Sequence, residues 1–275
     1  MLIDDLISKS VYIIREANAN FKNIGMLWST GKDSTTTLSL IREAFYDTIP
    51  FPVIHIDTGY KFKEIYEFRN KLSKEWNFNL IVCENKNAKI QNINPYTSSK
   101  MDCCTLLKTE ALKQLLEREH FDALIVSIRW DEHGIRGKER YMSPRDKEFK
   151  WHIVKDKGEG ILEAEQDAEL AGWNLFATDF GPNINHVRIH PILHWSEIDC
   201  WRYIKLRNLP FNPLYLEGYR SLGCYPCTKS MNPPAKDIDE IIKRLEETHS
   251  PERAGRAQDK EDSFIMQRLR ALGYP

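Results

Sequence analysis

Short apolar runs alternate along the chain with longer segments whose apolar residues recur every three to four positions. Leu6, Ile7, Ile13 and Ile14 share one face of a helix predicted over 3–20. Strands are predicted over 24–28, 51–56, 79–83 and 123–128, and helices over 35–44, 61–76 and 105–119. A loop rich in Asn, Pro and Ser fills 85–100. Residues 129–185 read as polar and irregular, 186–193 as a last strand, and Ser196 as the cap of a helix running to 206. A Pro/Gly/Cys-rich loop covers 210–234, a helix 238–247, and the tail from 250 is charged. Alternating strands and helices predict an α/β fold, a doubly wound, mainly parallel sheet flanked by helices, over 1–208. An irregular C-terminal extension with a basic tail occupies 209–275. Such sheets take ligands beyond the carboxyl ends of their strands.

Composition narrows the class. A chain of 275 residues can bury the core of one large domain with a small appendage. Hydrophobic residues make up 41% and charged residues 29%, a soluble globular balance. The net charge of −1 argues against a uniformly basic, nucleic-acid-coating protein and leaves room for a local basic patch. No apolar run approaches the roughly 20 residues that span a bilayer. The N-terminal residues lack the basic flank of a secretory signal. Six unevenly spaced cysteines do not read as a secreted disulfide framework, so the cytoplasm is the expected compartment.

Two groups of residues carry chemistry. Ser29-Thr30-Gly31-Lys32-Asp33-Ser34 follows the first core strand, where backbone N–H groups at a helix start can grip phosphate oxygens and Lys32 adds a charge. Asp33 is a carboxylate of the kind Mg²⁺ prefers. The Walker A pattern fails, because no Gly lies five residues before Gly31 and Asp33 follows Lys32. Asp57-Thr58-Gly59 ends the next strand, and Arg129, Arg136 and Arg140 form a run whose guanidinium forks suit tetrahedral oxyanions. Plainer readings stand beside these: a polar strand–helix turn, a strand-terminating turn and a solvated charged face. The second group is Cys103-Cys104 and Cys224-Tyr225-Pro226-Cys227, two tight thiol pairs suited to an iron–sulfur cluster or a zinc site. Cys83 and Cys200 read as buried apolar residues.

The loop resembles the SGGxDS pyrophosphate loop of the N-type ATP pyrophosphatases, with Thr30 in place of the usual Gly. His55 to Phe62, Tyr66 to Arg69, Lys108 to Glu110, Arg129 to Arg140, Pro213 to Leu216 and Glu252 to Arg256 resemble, in order, the small subunit of bacterial sulfate adenylyltransferase. The resemblance covers nearly the whole chain and falls within the PAPS-reductase superfamily. It implies an adenine nucleotide α-hydrolase-like fold and cleavage of ATP between its α and β phosphates, with ATP and Mg²⁺ as cofactors. By the same resemblance Ser29, Thr30, Gly31, Lys32, Asp33, Ser34, Asp57, Thr58 and Gly59 contact ATP. Arg129, Arg136, Arg140, Arg253 and Arg256 face phosphates or the acceptor anion, and Lys32, Asp33, Arg129 and Arg136 carry the chemistry.

At the cysteines the resemblance shifts. Sulfate adenylyltransferase small subunits lack the pairs, whereas Gly223 to Thr228 is similar to the motif by which assimilatory adenylylsulfate reductases hold a [4Fe–4S] cluster. This implies Cys103, Cys104, Cys224 and Cys227 as cluster ligands, zinc being the less favoured occupant. The reductases also use a C-terminal cysteine nucleophile, and here no cysteine follows Cys227. The expected function is therefore ATP-dependent adenylylation, and resemblance to the ATP pyrophosphatase components of DNA phosphorothioation systems, members of the same superfamily, implies a DNA backbone activated for sulfur insertion. Its implied partners are a cysteine desulfurase and DNA-processing proteins. Sulfate activation beside a GTPase subunit, adenylylsulfate or PAPS reduction, and a non-enzymatic iron–sulfur sensor or scaffold are the alternatives. An oligomer fits any of them; a membrane partner fits none.

Overall fold

The computed structural model describes residues 2–132, 136, 139–151, 180, 183–248, 250–256 and 265–274. Six strands, β1 (Ile24–Leu27), β2 (Val53–Ile56), β3 (Leu80–Cys83), β4 (Ala123–Ile125), β5 (Met142–Asp146) and β6 (Ile184–Ile189), form one sheet in the order β3-β2-β1-β4-β6-β5. All neighbours are parallel except β5 and β6. All of β1 is buried, as a central parallel strand covered on both faces must be. Gly25 belongs there because an added Cβ would stand 2.7 Å from Ile54 Cδ1.

Nine α-helices complete the described fold: α1 (Ile3–Asn20), α2 (Lys32–Ala44), α3 (Lys63–Glu75), α4 (Lys86–Ile90), α5 (Lys100–Cys104), α6 (Glu110–Glu119), α7 (Glu197–Leu206), α8 (Ile238–Glu247) and α9 (Ile265–Ala271). The amphipathic pattern placed α1, α7 and α8 well. At the start of α7 Ser196 accepts from the Asp199 amide while Asp199 returns a bond, a reciprocal cap. Helix α2 starts three residues before the expected 35, inside the Ser/Gly loop. The expected helix over 105–119 begins at Lys100 and passes through a π-helical turn, Thr105–Thr109, before α6. The expected strand over 123–128 stops at Ile125, and 86–90 of the expected loop is helical.

Strand β5 and helix α9 fall in segments read as irregular. Met-Ser-Pro-Arg-Asp carries no alternating pattern, and its proline is tolerated because β5 is an edge strand. Most of 152–182 lies outside the described residues.

Strands β2 and β3 extend from one side of β1, while β4 lies on the other. The strand order thus reverses between β1 and β4, which opens a crevice at their carboxyl ends. The extension closes over that crevice through short 3₁₀ turns at Pro213–Tyr215, Tyr225–Cys227 and Glu252–Gly255. The backbone bridge Lys61–Cys224 ties it down, and Thr228–Arg256 joins two of its own segments. Among the described residues no helix is long and apolar enough to cross a membrane.

Candidate active site

The loop between β1 and α2 is drawn tight by its own hydroxyls. Ser34 Oγ lies 3.1 Å from both Ser29 Oγ and the Gly31 carbonyl. Thr30 adopts φ +66°, a left-handed backbone that a β-branched residue rarely takes and that glycine takes freely. Its hydroxyl is buried without a hydrogen-bond partner. The Lys32 amide, first of the helix, donates to Tyr215 Oη at 2.8 Å, so the extension anchors the loop.

Beyond this loop lies a cavity of about 180 Å³. One end is apolar, lined by Leu27, Ile54, Ile56, Val126 and Ile128 from the ends of β1, β2 and β4. The other is cationic, lined by Lys32, Lys61, Lys108, Arg136, Arg253 and Arg256. An apolar slot suits a planar base, and a cationic end suits a polyphosphate.

Acids already engage several of these cations. Lys32 Nζ lies 2.5 Å from Glu252 Oε1, 3.3 Å from Asp33 and 3.7 Å from Glu197. Arg129, fully buried behind the loop, pairs with Asp33, with the other oxygen of Glu252, and with Asp131 at 2.9 Å. Burial would favour the neutral form of Lys32, but Asp33, Glu252 and Glu197 override it and hold the ammonium charged. Burial likewise pushes the Glu252 carboxyl up, yet Arg129 and Lys32 bring it down to about 2. Glu197 is shifted upward by burial despite Lys32, and Arg220 pairs with it at 2.7 Å. Deeper in the cavity Arg136 and Arg253 share Glu132. Burial, then Arg253 and Arg270, push the Arg136 guanidinium well below its usual value.

The two thiol pairs lie near the cationic end. All are buried and none is in a disulfide, and each pair lies within electrostatic reach of the other. Burial pushes Cys103 up to about 12. Cys224 is pushed up by burial too, but Lys108, Lys61 and a 3.2 Å contact with Thr58 Oγ1 bring it down to about 7. Four soft sulfur donors with adjacent cations have the chemistry of a cluster site. Among the described residues, no three His, Cys, Asp or Glu side chains are gathered closely enough to hold a metal ion.

Ser29, Gly31, Lys32, Asp33, Ser34, Arg136, Arg253 and Arg256 therefore line one cavity. Other residues predicted for the site stand elsewhere. Asp57 accepts from the Gly59 amide at 2.8 Å and from Tyr66 Oη at 2.9 Å, with Arg69 at 3.7 Å, and so braces its own turn. Thr58 faces Cys224, and Gly59, at φ +78°, packs beside Lys89. Arg140 is off the cavity wall, its carbonyl bonded to His190. Thr30 and Arg129 shape the loop from behind. Missed by the sequence reading were Glu252, Glu197, Tyr215, Lys61, Lys108 and Tyr274. Four of them sat inside the quoted motifs, but nothing in a motif's spelling says that Glu252 would reach Lys32.

A doubly wound sheet with a phosphate-type loop at its switch point defines an adenine nucleotide α-hydrolase-like protein. The phosphoadenosine phosphosulfate reductase domain matches residues 23–230, and the chain belongs to that family. Sulfate adenylyltransferase subunit 2 of Zymomonas mobilis is 36% identical over 97% of this chain and 95% of its own. Among solved structures, the phosphoadenylyl-sulfate reductase of Candida auris in a phosphate complex is similar at TM-score 0.57 and 18% identity, covering 82% of this chain and 96% of its own. The FMN adenylyltransferase of Candida glabrata in complex with ATP is similar at TM-score 0.58 and 18% identity, covering 92% and 87%. The U34-tRNA thiolase NcsA of Methanococcus maripaludis with its [4Fe–4S] cluster is similar at TM-score 0.51 and 16% identity, covering 99% and 80%. These structural likenesses speak to the fold.

Proposed function

We propose that this chain is an ATP-dependent adenylyltransferase of sulfur metabolism that activates a backbone oxygen of DNA for replacement by sulfur. An acceptor oxygen attacks the α-phosphorus of ATP, the bond to the bridging α–β oxygen breaks, and pyrophosphate leaves. Lys32 and the amides of the Ser29–Ser34 loop hold the phosphates, and Arg136, Arg253 and Arg256 balance charge on the transferring group and the acceptor. Asp33 is the carboxylate for the Mg²⁺ that travels with the nucleotide. The apolar slot at Ile54, Ile56 and Val126 seats the base and excludes water from one side.

What supports the choice of acceptor is that two buried thiol pairs, within electrostatic reach of each other, stand near Lys61 and Lys108 at the cationic end of the cavity. Making adenylylsulfate from sulfate leaves them without work, whereas delivering sulfide-level sulfur to an adenylylated oxygen gives them a place in the reaction. Cys103, Cys104, Cys224 and Cys227 would hold a [4Fe–4S] cluster, which when bound supplies an electrophilic iron–sulfur face. A cysteine desulfurase would provide the sulfur as a persulfide, a two-electron thiol reductant would release it at the sulfide level, and its attack on the DNA phosphorus would form the P–S bond as the P–O bond to AMP breaks and AMP leaves. The second reading, sulfate as acceptor with a partner subunit, is favoured by near-full-length similarity to a protein named as one subunit of sulfate adenylyltransferase.

Pyrophosphate release measured with DNA, with sulfate and with neither separates the readings. DNA-stimulated release is expected. Release stimulated by sulfate alone would replace this acceptor with the second, and no release with any acceptor would sink the adenylyltransferase reading.

A further inference from the structure

We infer that Glu252 is a positioning residue that stands in for a phosphate of the nucleotide, and that its displacement couples nucleotide binding to the thiol loop. The inference rests on the ATP reading above.

Four carboxylates, Asp33, Asp131, Glu197 and Glu252, face three cations, Lys32, Arg129 and Arg220, around the phosphate loop. A polyphosphate entering that arrangement meets excess negative charge, so one carboxylate must withdraw. Asp33 is fixed on α2, and Glu197 is fixed on α7 and clamped by Arg220. Glu252 sits on a short 3₁₀ turn of the extension and spreads its two oxygens over Lys32 and Arg129, as two oxygens of one phosphate would. The cavity is correspondingly small: about 180 Å³, against the roughly 300–1,000 Å³ usual for small-molecule sites.

The same turn is wired to the thiols. Arg256 Nη1 donates to the Leu222 carbonyl at 2.5 Å, and the Lys229 amide donates to the Gly255 carbonyl at 3.1 Å. Arg256 bridges Thr228 through its backbone, and Thr228 Oγ1 donates to the Cys224 carbonyl at 3.0 Å. The Arg256 guanidinium also packs against Gly223, where an added Cβ would meet it at 2.3 Å. Moving Glu252 off Lys32 therefore pulls on both ends of the Cys224–Cys227 loop. The element that both sites bias is residues 252–256.

The test uses the purified full chain with the non-hydrolysable nucleotide AMPCPP. Glu252→Gln keeps the shape and removes the competing charge, so it is expected to bind AMPCPP at least tenfold more tightly than wild type. A carboxylate with a purely structural role would give weaker or unchanged binding. In wild type, AMPCPP is expected to speed amide hydrogen exchange at 221–229 and 252–256, and Glu252→Gln should show that faster exchange without nucleotide. A folded Glu252→Gln that binds no more tightly overturns the inference. Should that variant fail to fold, unchanged or slowed exchange at 252–256 in AMPCPP-saturated wild type overturns it alone. Failure of wild type to bind AMPCPP at all would instead bring down the ATP reading beneath it.

Discussion

Replacing Thr30 with glycine should stabilise the protein, because position 30 combines a left-handed backbone with a buried, unpartnered hydroxyl. An L-residue with a Cβ pays roughly 1–2 kcal/mol to hold the left-handed region, and a buried hydroxyl without a partner costs about 1 kcal/mol or more. Against these stand about 0.5–1 kcal/mol of added backbone entropy for glycine and about 0.8 kcal/mol for one methyl withdrawn from the core. The balance is a gain of roughly 1 kcal/mol, and for a chain of this size that raises Tm by about 2–4 °C. Differential scanning fluorimetry or urea unfolding of wild type, Thr30→Gly and Thr30→Val reads it. The valine keeps the strained backbone and loses only the hydroxyl, so it should recover the smaller part of the gain. A Thr30→Gly protein less stable than wild type by 1 kcal/mol or more would refute the strain argument. So would a valine variant that captures the whole gain while glycine captures none.

Stability should fall as the pH drops below about 6.5, before carboxylates titrate. His55, His186 and His190 are buried and held neutral, chiefly by burial, with His55 and His190 near 3. Their unfolded values lie near 6.5, so between about 6.5 and 3 the unfolded chain binds more protons and gains ground by up to about 1.4 kcal/mol per pH unit for each histidine. Equal urea midpoints at pH 7 and pH 5 would refute this. Replacing Cys224 and Cys227 with serine should strip iron, brown colour and broad visible absorption from anaerobically purified protein. One equivalent of zinc and no iron in the wild type would dispose of the cluster.

The sheet and the phosphate loop were legible because their signals are local. A four-residue buried strand, a small-residue bend and an amphipathic helix each announce themselves within a dozen positions, and the switch point follows from their order. What stayed hidden depends on distance along the chain. Lys32 and Glu252 are separated by 220 positions, and no periodicity reports a charge pair of that reach. Strand β5 was masked by a proline and two charged or polar neighbours that an interior strand would not tolerate. Helix α2 was expected to begin at 35, after the Ser29–Ser34 bend, yet it starts at Lys32, and its threonines Thr35, Thr36 and Thr37, stiff at χ1, are weak helix formers. Packing overrides that preference here: all three are buried, and Thr35 Oγ1 accepts from Trp28 Nε1 at 3.2 Å.

The motif residues that missed the cavity share a physical reason for doing so. Asp57 closes a turn whose glycine sits at positive φ, and its two oxygens are spent on the Gly59 amide, Tyr66 and Arg69. Burial disfavours its charge, but the amide and the Tyr66 hydroxyl outweigh burial and hold the carboxyl below its usual value. A carboxylate so engaged shapes the path of 57–61, and that path is what delivers Thr58 and Lys61 to Cys224. The Asp-Thr-Gly turn thus acts on the thiol side of the cavity, across from the phosphate loop. The Ser29–Ser34 loop and the turn beside Cys224 follow the ends of β1 and β2, adjacent strands of one sheet. The residues that join them, Glu252 to Arg256, come from the far end of the sequence.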